Sequence, residues 1–223
     1  MKSILSCSFL KTVYFNFKML PFNQAIKFPF IIGRKTHFIS LKGNIKLLNQ
    51  KLSSGIIKIG LSKSVLYGKR ETVDLHIDGT LVIDGYGEIL RGSRIFIGEN
   101  GKLSLMNGYF HFNGIRIMCA NDIQINCPIS VGQNTLITDS DFHYTIDTLT
   151  GKRNVEITKP VIIGSHNWIS MDVTILKGTE TPNYCIIGAK SLLNKKYNIE
   201  ENCLIAGVPA QLKLKNIRRD FNT

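Results

Sequence analysis

Residues 155–210, VEITKPVIIGSHNWISMDVTILKGTETPNYCIIGAKSLLNKKYNIEENCLIAGVPA, space their apolar side chains in a way that decides the fold. Ile157, Ile163, Ile169, Ile175, Ile187 and Leu193 fall on one six-residue ladder, with Thr181 as its non-aliphatic rung. Gly164, Ser170 and Gly188 each follow a rung directly. An α-helix repeats its apolar positions every 3.6 residues and a half-buried strand every second one, so neither fits. A sustained period of six marks a parallel β-helix, in which each unit is one short strand plus a corner. Three such units close an 18-residue triangular coil, which predicts that Ile157, Ile175 and Leu193 stack inside a prism. Successive coils then lie about 4.7–4.9 Å apart, joined by backbone hydrogen bonds along the axis. The small residue after each rung suits a corner, where a Cβ would crowd the turn or the neighbouring chain. No single coil can bury its own inner face, so only the stack is stable.

Working outward, Ile77, Ile83, Ile89 and Ile95 also stand six apart, which predicts coils from about residue 73. The register is lost between Gly101 and Cys119 and returns at Ile125, Val131 and Ile137. Extended by sixes, that last ladder reaches position 155, two residues out of phase with the one through Ile157. The polar stretch TDSDFHYTIDTLTGKRNVEI between them is therefore expected to leave the prism as a loop over about residues 139–156. Loops on rigid scaffolds are where binding and catalytic groups concentrate. Before the repeats, SILSCSFLKTVYFNFKML suits a short helix ending ahead of Pro21, with Pro21 and Pro29 holding residues 21–30 extended. The favoured reading of this segment is a cap over the open end of the β-helix, covering unpaired strand edges. The alternative is peripheral association with an anionic membrane. The expected division is a capping segment over 1–72, the β-helix over 73–215 and a tail over 216–223.

With 223 residues, 43% of them hydrophobic, the chain has enough material for one substantial core. A net charge of +12 invites an anionic partner, or serves solubility alone. No helix-turn-helix, zinc-finger or aromatic-basic reader pattern occurs, so nucleic acid is not expected. The five cysteines are odd in number, scattered and without metal spacing, which reads as reduced core thiols and no metal site. The apolar run at the start ends at Lys11 with no small-residue cleavage site, and no run reaches transmembrane length. A cytoplasmic protein is expected.

The repeat, with the closing stretch IIGAKSLLNKKYNIEENCLIAGVPAQLKLK, resembles the hexapeptide-repeat acyltransferases. The resemblance implies a left-handed parallel β-helix, an all-β fold assembled as a homotrimer, and acetyl-CoA as co-substrate. Asp139-Ser140-Asp141-Phe142-His143 resembles the catalytic segment of the sugar O-acetyltransferases, most closely those of capsular polysaccharide and O-antigen. By that match His143 is the catalytic base. A sugar hydroxyl attacks poorly until its proton is accepted, and an imidazole with an unperturbed pKa near 6.5 accepts it at neutral pH. Asp141 is expected to orient the imidazole and Asp139 to accept bonds from the sugar, unless both are turn-forming aspartates bonded to their own backbone. Asn113 is a further candidate for the carbohydrate acceptor.

Asn167-Trp168-Ile169-Ser170 resembles the family's NxWIG pattern, with serine in place of glycine. Trp168 precedes an inward isoleucine and should point outward, where the family's indole lies against pantetheine. The amide of Ser170 or Met171 would meet the oxyanion. Ala189 marks the passage of pantetheine, and Lys195 and Lys213, with Lys196 and Lys215, are candidates for the phosphates. His37, His76, His111 and His166 read as structural. The acceptor is expected to be a surface-polysaccharide sugar or its precursor. Another small acceptor such as an amino sugar or serine, or a non-catalytic scaffold, are the alternatives.

Overall fold

Inward aliphatic side chains and axial hydrogen bonds shape the chain into a three-faced prism, a parallel β-helix. The computed structural model describes residues 6–63 and 70–220. The first face stacks Asn44–Leu47 on the leading half of Thr80–Ile89, then the leading half of Lys102–Phe112, Asp122–Asn126 and Val161–Ile163. The second stacks Phe30–Ile32, Ile57–Ile59, the trailing halves of the same two long strands, Ile129–Val131, Asn167–Ile169, Ile186–Ile187 and Cys203–Gly207. The third stacks Thr36–Leu41, Val73–Ile77, Arg94–Ile97, Arg116–Cys119, Leu136–Thr138, Thr174–Ile175 and Leu192–Leu193. All these pairings are parallel, and the closing strand Ala210–Lys215 turns back antiparallel on Cys203–Gly207.

The late coils keep the 18-residue repeat, since Ile186 pairs with Trp168 and Leu204 with Ile186. Gly164 sits at such a corner, where an added Cβ would stand 2.3 Å from the Pro182 carbonyl oxygen. Thr181, the polar rung, is buried and accepts hydrogen bonds from the Gly164 amide and the Asn167 side chain, so no polar group is stranded. The earlier coils are longer: Ile117 pairs with Ile95, 22 residues before it. Thr80–Ile89 and Lys102–Phe112 each bend across two faces instead of breaking at the corner. Gly85 makes that bend possible, because a Cβ there would lie 2.1 Å from the Gly108 carbonyl oxygen. These added residues are why the six-residue register fades after Gly101.

Two expectations are corrected. The prism begins at Phe30, not near residue 73, because Phe30–Ile32, Thr36–Leu41 and Asn44–Leu47 already pair in parallel with later coils. Irregular coil lengths hid these turns. Ile157 does not join the inner column: Ile175 pairs with Ile137 before it and Leu193 after it. Ile137 fills the third-face place that Ile157 would have taken, and Ile157 falls on the return limb of the loop.

The cap is helical, with α1 at Phe9–Met19 and α2 at Phe22–Ala25. The expectation that residues 21–30 run extended is corrected, because Pro21 precedes α2 as its cap, where a missing amide costs no helical bond. Ser8 caps α1 through its side chain, and Phe15 packs against Phe30 and Phe38. The buried Asn16 exchanges two hydrogen bonds with the Phe30 backbone, and Thr12 accepts from the Ile32 amide. The exposed edge of the first strand is thereby satisfied.

Candidate active site

After Thr138 the chain leaves the third face and re-enters on the first at Val161. Between them it forms a two-stranded excursion, Thr145–Ile146 against Arg153–Asn154, with the Arg153 guanidinium 3.6 Å above the Tyr144 ring. The limbs close at a neck, where the Asp141 amide donates to the Ile157 carbonyl and the Lys159 amide to the Asp139 carbonyl. Lys177 rivets the neck from the next coil, holding the Asp141 carboxylate at 2.6 Å and the Glu156 carbonyl at 2.8 Å.

His143 projects from this neck, exposed to solvent. Its neighbour Phe142 adopts a left-handed φ of 59°, its amide held by the Ser140 hydroxyl, and its ring lies 6.3 Å from Phe96 on the third face. Beside Phe96 runs a groove of about 380 Å³ lined by Asp74, His76, Arg94, Arg116 and Met118. Phe142, the residue before His143, thus borders a cleft with an apolar floor and charged walls.

The two aspartates do not share a role. Asp139 is fully buried; its oxygens accept the amides of Ala120 and Asn121, each at 2.8 Å. The expectation that it touches the sugar is corrected: it caps the turn after Arg116–Cys119, inaccessible to any acceptor. Asp141 is half-exposed, but Lys177 occupies its carboxylate in place of the imidazole, so the orienting role is corrected to anchoring the neck.

Trp168 points outward from the second face, 38% exposed, as its place before Ile169 requires. Buried Asn167 explains that posture, because its side chain binds the Cys185 amide and the Pro182 carbonyl and fixes the corner. The Ser170 amide donates to the Ile187 carbonyl, which removes it as an oxyanion donor and leaves Met171 as the candidate. Ala189 is exposed beside this corner. Lys196 and Lys215 are spent on Glu180 and Glu200, whereas Lys195 lies over Tyr197 and Lys213 is exposed.

Several residues here escaped sequence reading. Arg218 and Arg219 lie in the supposed tail, yet their guanidinium groups stand 5.5 Å from the Tyr184 ring and 5.6 Å from the Trp168 ring. On the same outer face as Trp168, the pairs Tyr86–Tyr109 and Glu88–His111 lie side by side in register. Hydrogen bonding to His111, 3.1 Å away, holds the Glu88 carboxyl below the usual carboxylate range, and burial raises the Tyr109 hydroxyl. His111, expected to be structural, is a partly exposed member of this polar row, paired with Glu88. Asn113, one residue past Phe112, keeps a buried side-chain oxygen without a partner among the described residues.

No family model matches the chain. A probable acetyltransferase of Mycobacterium tuberculosis is 28% identical over 129 residues, 54% of this chain and 42% of that protein. A putative lipopolysaccharide-biosynthesis O-acetyltransferase of Escherichia coli is 28% identical over 145 residues, 59% of this chain and 64% of that one. The chain spans less than two thirds of the length of either relative. Among solved structures, a polySia-specific acetyltransferase is 18% identical with a TM-score of 0.45, covering 86% of this chain and 89% of its own.

Proposed function

We propose that this protein, similar in sequence to hexapeptide-repeat sugar O-acetyltransferases, moves acetyl from acetyl-CoA to a hydroxyl of a surface-polysaccharide sugar or its precursor. The observation that carries the reading is an exposed imidazole on an outward loop, at a long break in a β-helix whose sole tryptophan also faces out. His143 takes the hydroxyl proton as the oxygen attacks the thioester carbonyl. The tetrahedral intermediate forms with its oxyanion toward the Met171 amide. On collapse the C–S bond breaks, and the imidazolium returns its proton to the departing thiolate. General-base help of this kind is worth about 10²–10⁴-fold.

Transfer is direct in this scheme. Cys119, Cys127, Cys185 and Cys203 are all buried, and burial pushes the Cys127 thiol up to about 12. A thiol held protonated in the core is a poor site for an acyl-enzyme.

The loop leaves at the corner between the third and first faces, which in a triangular prism lies opposite the second face that carries Trp168. One chain cannot bring His143 and Trp168 together, which supports a homotrimer with each site in the groove between neighbours. The acceptor then lies along the Phe96–Arg116 groove beside His143, facing the Tyr109–His111 row and Asn113 of the adjoining copy. Coenzyme A runs from Trp168 past Ala189, with Lys195, Lys213 and Arg219 near its phosphates.

Trp168 makes the test direct, because it is the sole tryptophan. Adding coenzyme A should quench its fluorescence saturably, and His143→Ala should keep that binding while losing about 10²–10⁴-fold in transfer. Wild-type transfer by His143→Ala overturns the catalytic assignment; a folded protein with no response to coenzyme A favours a scaffold.

A further inference from the structure

We propose that the N-terminal end of the prism is a docking surface for an anionic lipid bilayer. Helix α1 buries a mixed stripe, Thr12, Phe15, Asn16 and Met19, and leaves a second, apolar side to solvent, where an ordinary surface helix exposes a polar one. Its polar residues Thr12 and Asn16 face inward, occupied by the backbone of Phe30–Ile32. Its outward side carries Phe9, Leu10, Tyr14 and Phe17, which are 75%, 80%, 55% and 43% exposed. Beyond Pro21 the surface continues through Phe22 and Ile26, 72% and 50% exposed. Six large apolar side chains presented together on one end are far more than scattered surface hydrophobes require.

The distribution of charge says what covers them. No aspartate or glutamate occurs before Glu71, yet 13 of the 28 lysines and arginines do. From Glu71 onward 15 basic residues face 16 acidic ones, so the whole net charge of +12 resides in the first third of the chain. Around the apolar plateau Lys18, Lys27, Arg34 and Lys35 are exposed. Aromatic and aliphatic side chains ringed by cations match a bilayer interface with anionic headgroups. A second copy of this chain is a poor occupant, because the contact would press two such basic surfaces together with no acidic residue within either to pair them.

The test is co-sedimentation with vesicles of three parts phosphatidylcholine to one part phosphatidylglycerol, against pure phosphatidylcholine. Wild type should pellet with the anionic vesicles, and raising salt from about 0.1 M to about 0.5 M should weaken that at least about tenfold. Leu10→Ser combined with Phe17→Ser removes two outward side chains and should cut partitioning about tenfold, and Leu10→Ser alone, at a side chain 80% exposed, should weaken it with an unchanged melting temperature. Lys18→Glu combined with Lys27→Glu should reduce binding to anionic vesicles and leave the weak binding to neutral ones alone. Wild type remaining in the supernatant overturns the proposal, as does full binding by both double variants. A change of sedimentation coefficient in the Leu10/Phe17 variant, without vesicles, makes the face a protein contact and also overturns it.

Discussion

Replacing Asp139 separates folding from catalysis. Its buried carboxylate accepts two backbone amides at 2.8 Å, and the Cys119 thiol stands 3.7 Å away. Charge-assisted bonds of this kind contribute about 1.5–3 kcal/mol each, and losing the acceptor strands two buried donors. The relief of a buried charge offsets part of that loss. Asp139→Ala should therefore cost about 3–4 kcal/mol, which for a chain of this size lowers the melting temperature by roughly 10 °C. Asp139→Asn keeps one acceptor and turns the other position into a donor facing a donor, so it should recover less than half of the loss. Circular dichroism melts at matched protein concentration read the stability, since association between copies also shifts the midpoint. Acetyl transfer, measured well below the lowered midpoint, should stay within about threefold of wild type, because no contact here touches a reacting atom. An unmoved melt with transfer down about a hundredfold would show that the carboxylate acts on the acceptor and that its burial is irrelevant.

Three further outcomes are expected. Ile137→Ala should cost about 2–5 kcal/mol in chemical unfolding, whereas Ile157→Ala, outside the inner column, should cost under about 1 kcal/mol; equal losses would restore Ile157 to the prism. Lys177→Met should quicken hydrogen exchange over residues 141–157 and lower kcat about tenfold by loosening His143, with little change in melting since the ion pair is partly exposed. Glu88→Gln tests a pH dependence: the Glu88 carboxyl is held below 4.5 in the fold, so its contribution is full above that value and fades as pH falls through the folded-state one. The melting difference between wild type and Glu88→Gln should accordingly shrink between about pH 6 and about pH 3, and a constant difference would sink the assignment.

The late coils were legible because each side chain's task there is set locally. A six-residue period leaves only one way to turn Ile163, Ile169, Ile175 and Ile187 inward, and Gly164 stands where backbone crowds and Gly188 against the Ala206 side chain. The break before Ile157 was readable as a phase error, which located the loop and His143. The early coils were not legible, because Thr80–Ile89 and Lys102–Phe112 carry extra residues around their bends. A period that changes from coil to coil leaves no ladder to count.

Periodicity and motif alone established the β-helix, the outward tryptophan and the excursion bearing an imidazole, since these depend on neighbours in sequence. Folding decided what depends on distant partners. It buried Asp139 beneath Ala120 and Asn121, gave Asp141 to Lys177, brought Arg219 over Trp168, and turned Thr12 and Asn16 of α1 inward onto the first strand. Two aspartates separated by one residue look equivalent in a string; the one that met unpaired backbone amides became structure, and the one that met a lysine from the next coil became the anchor of the loop.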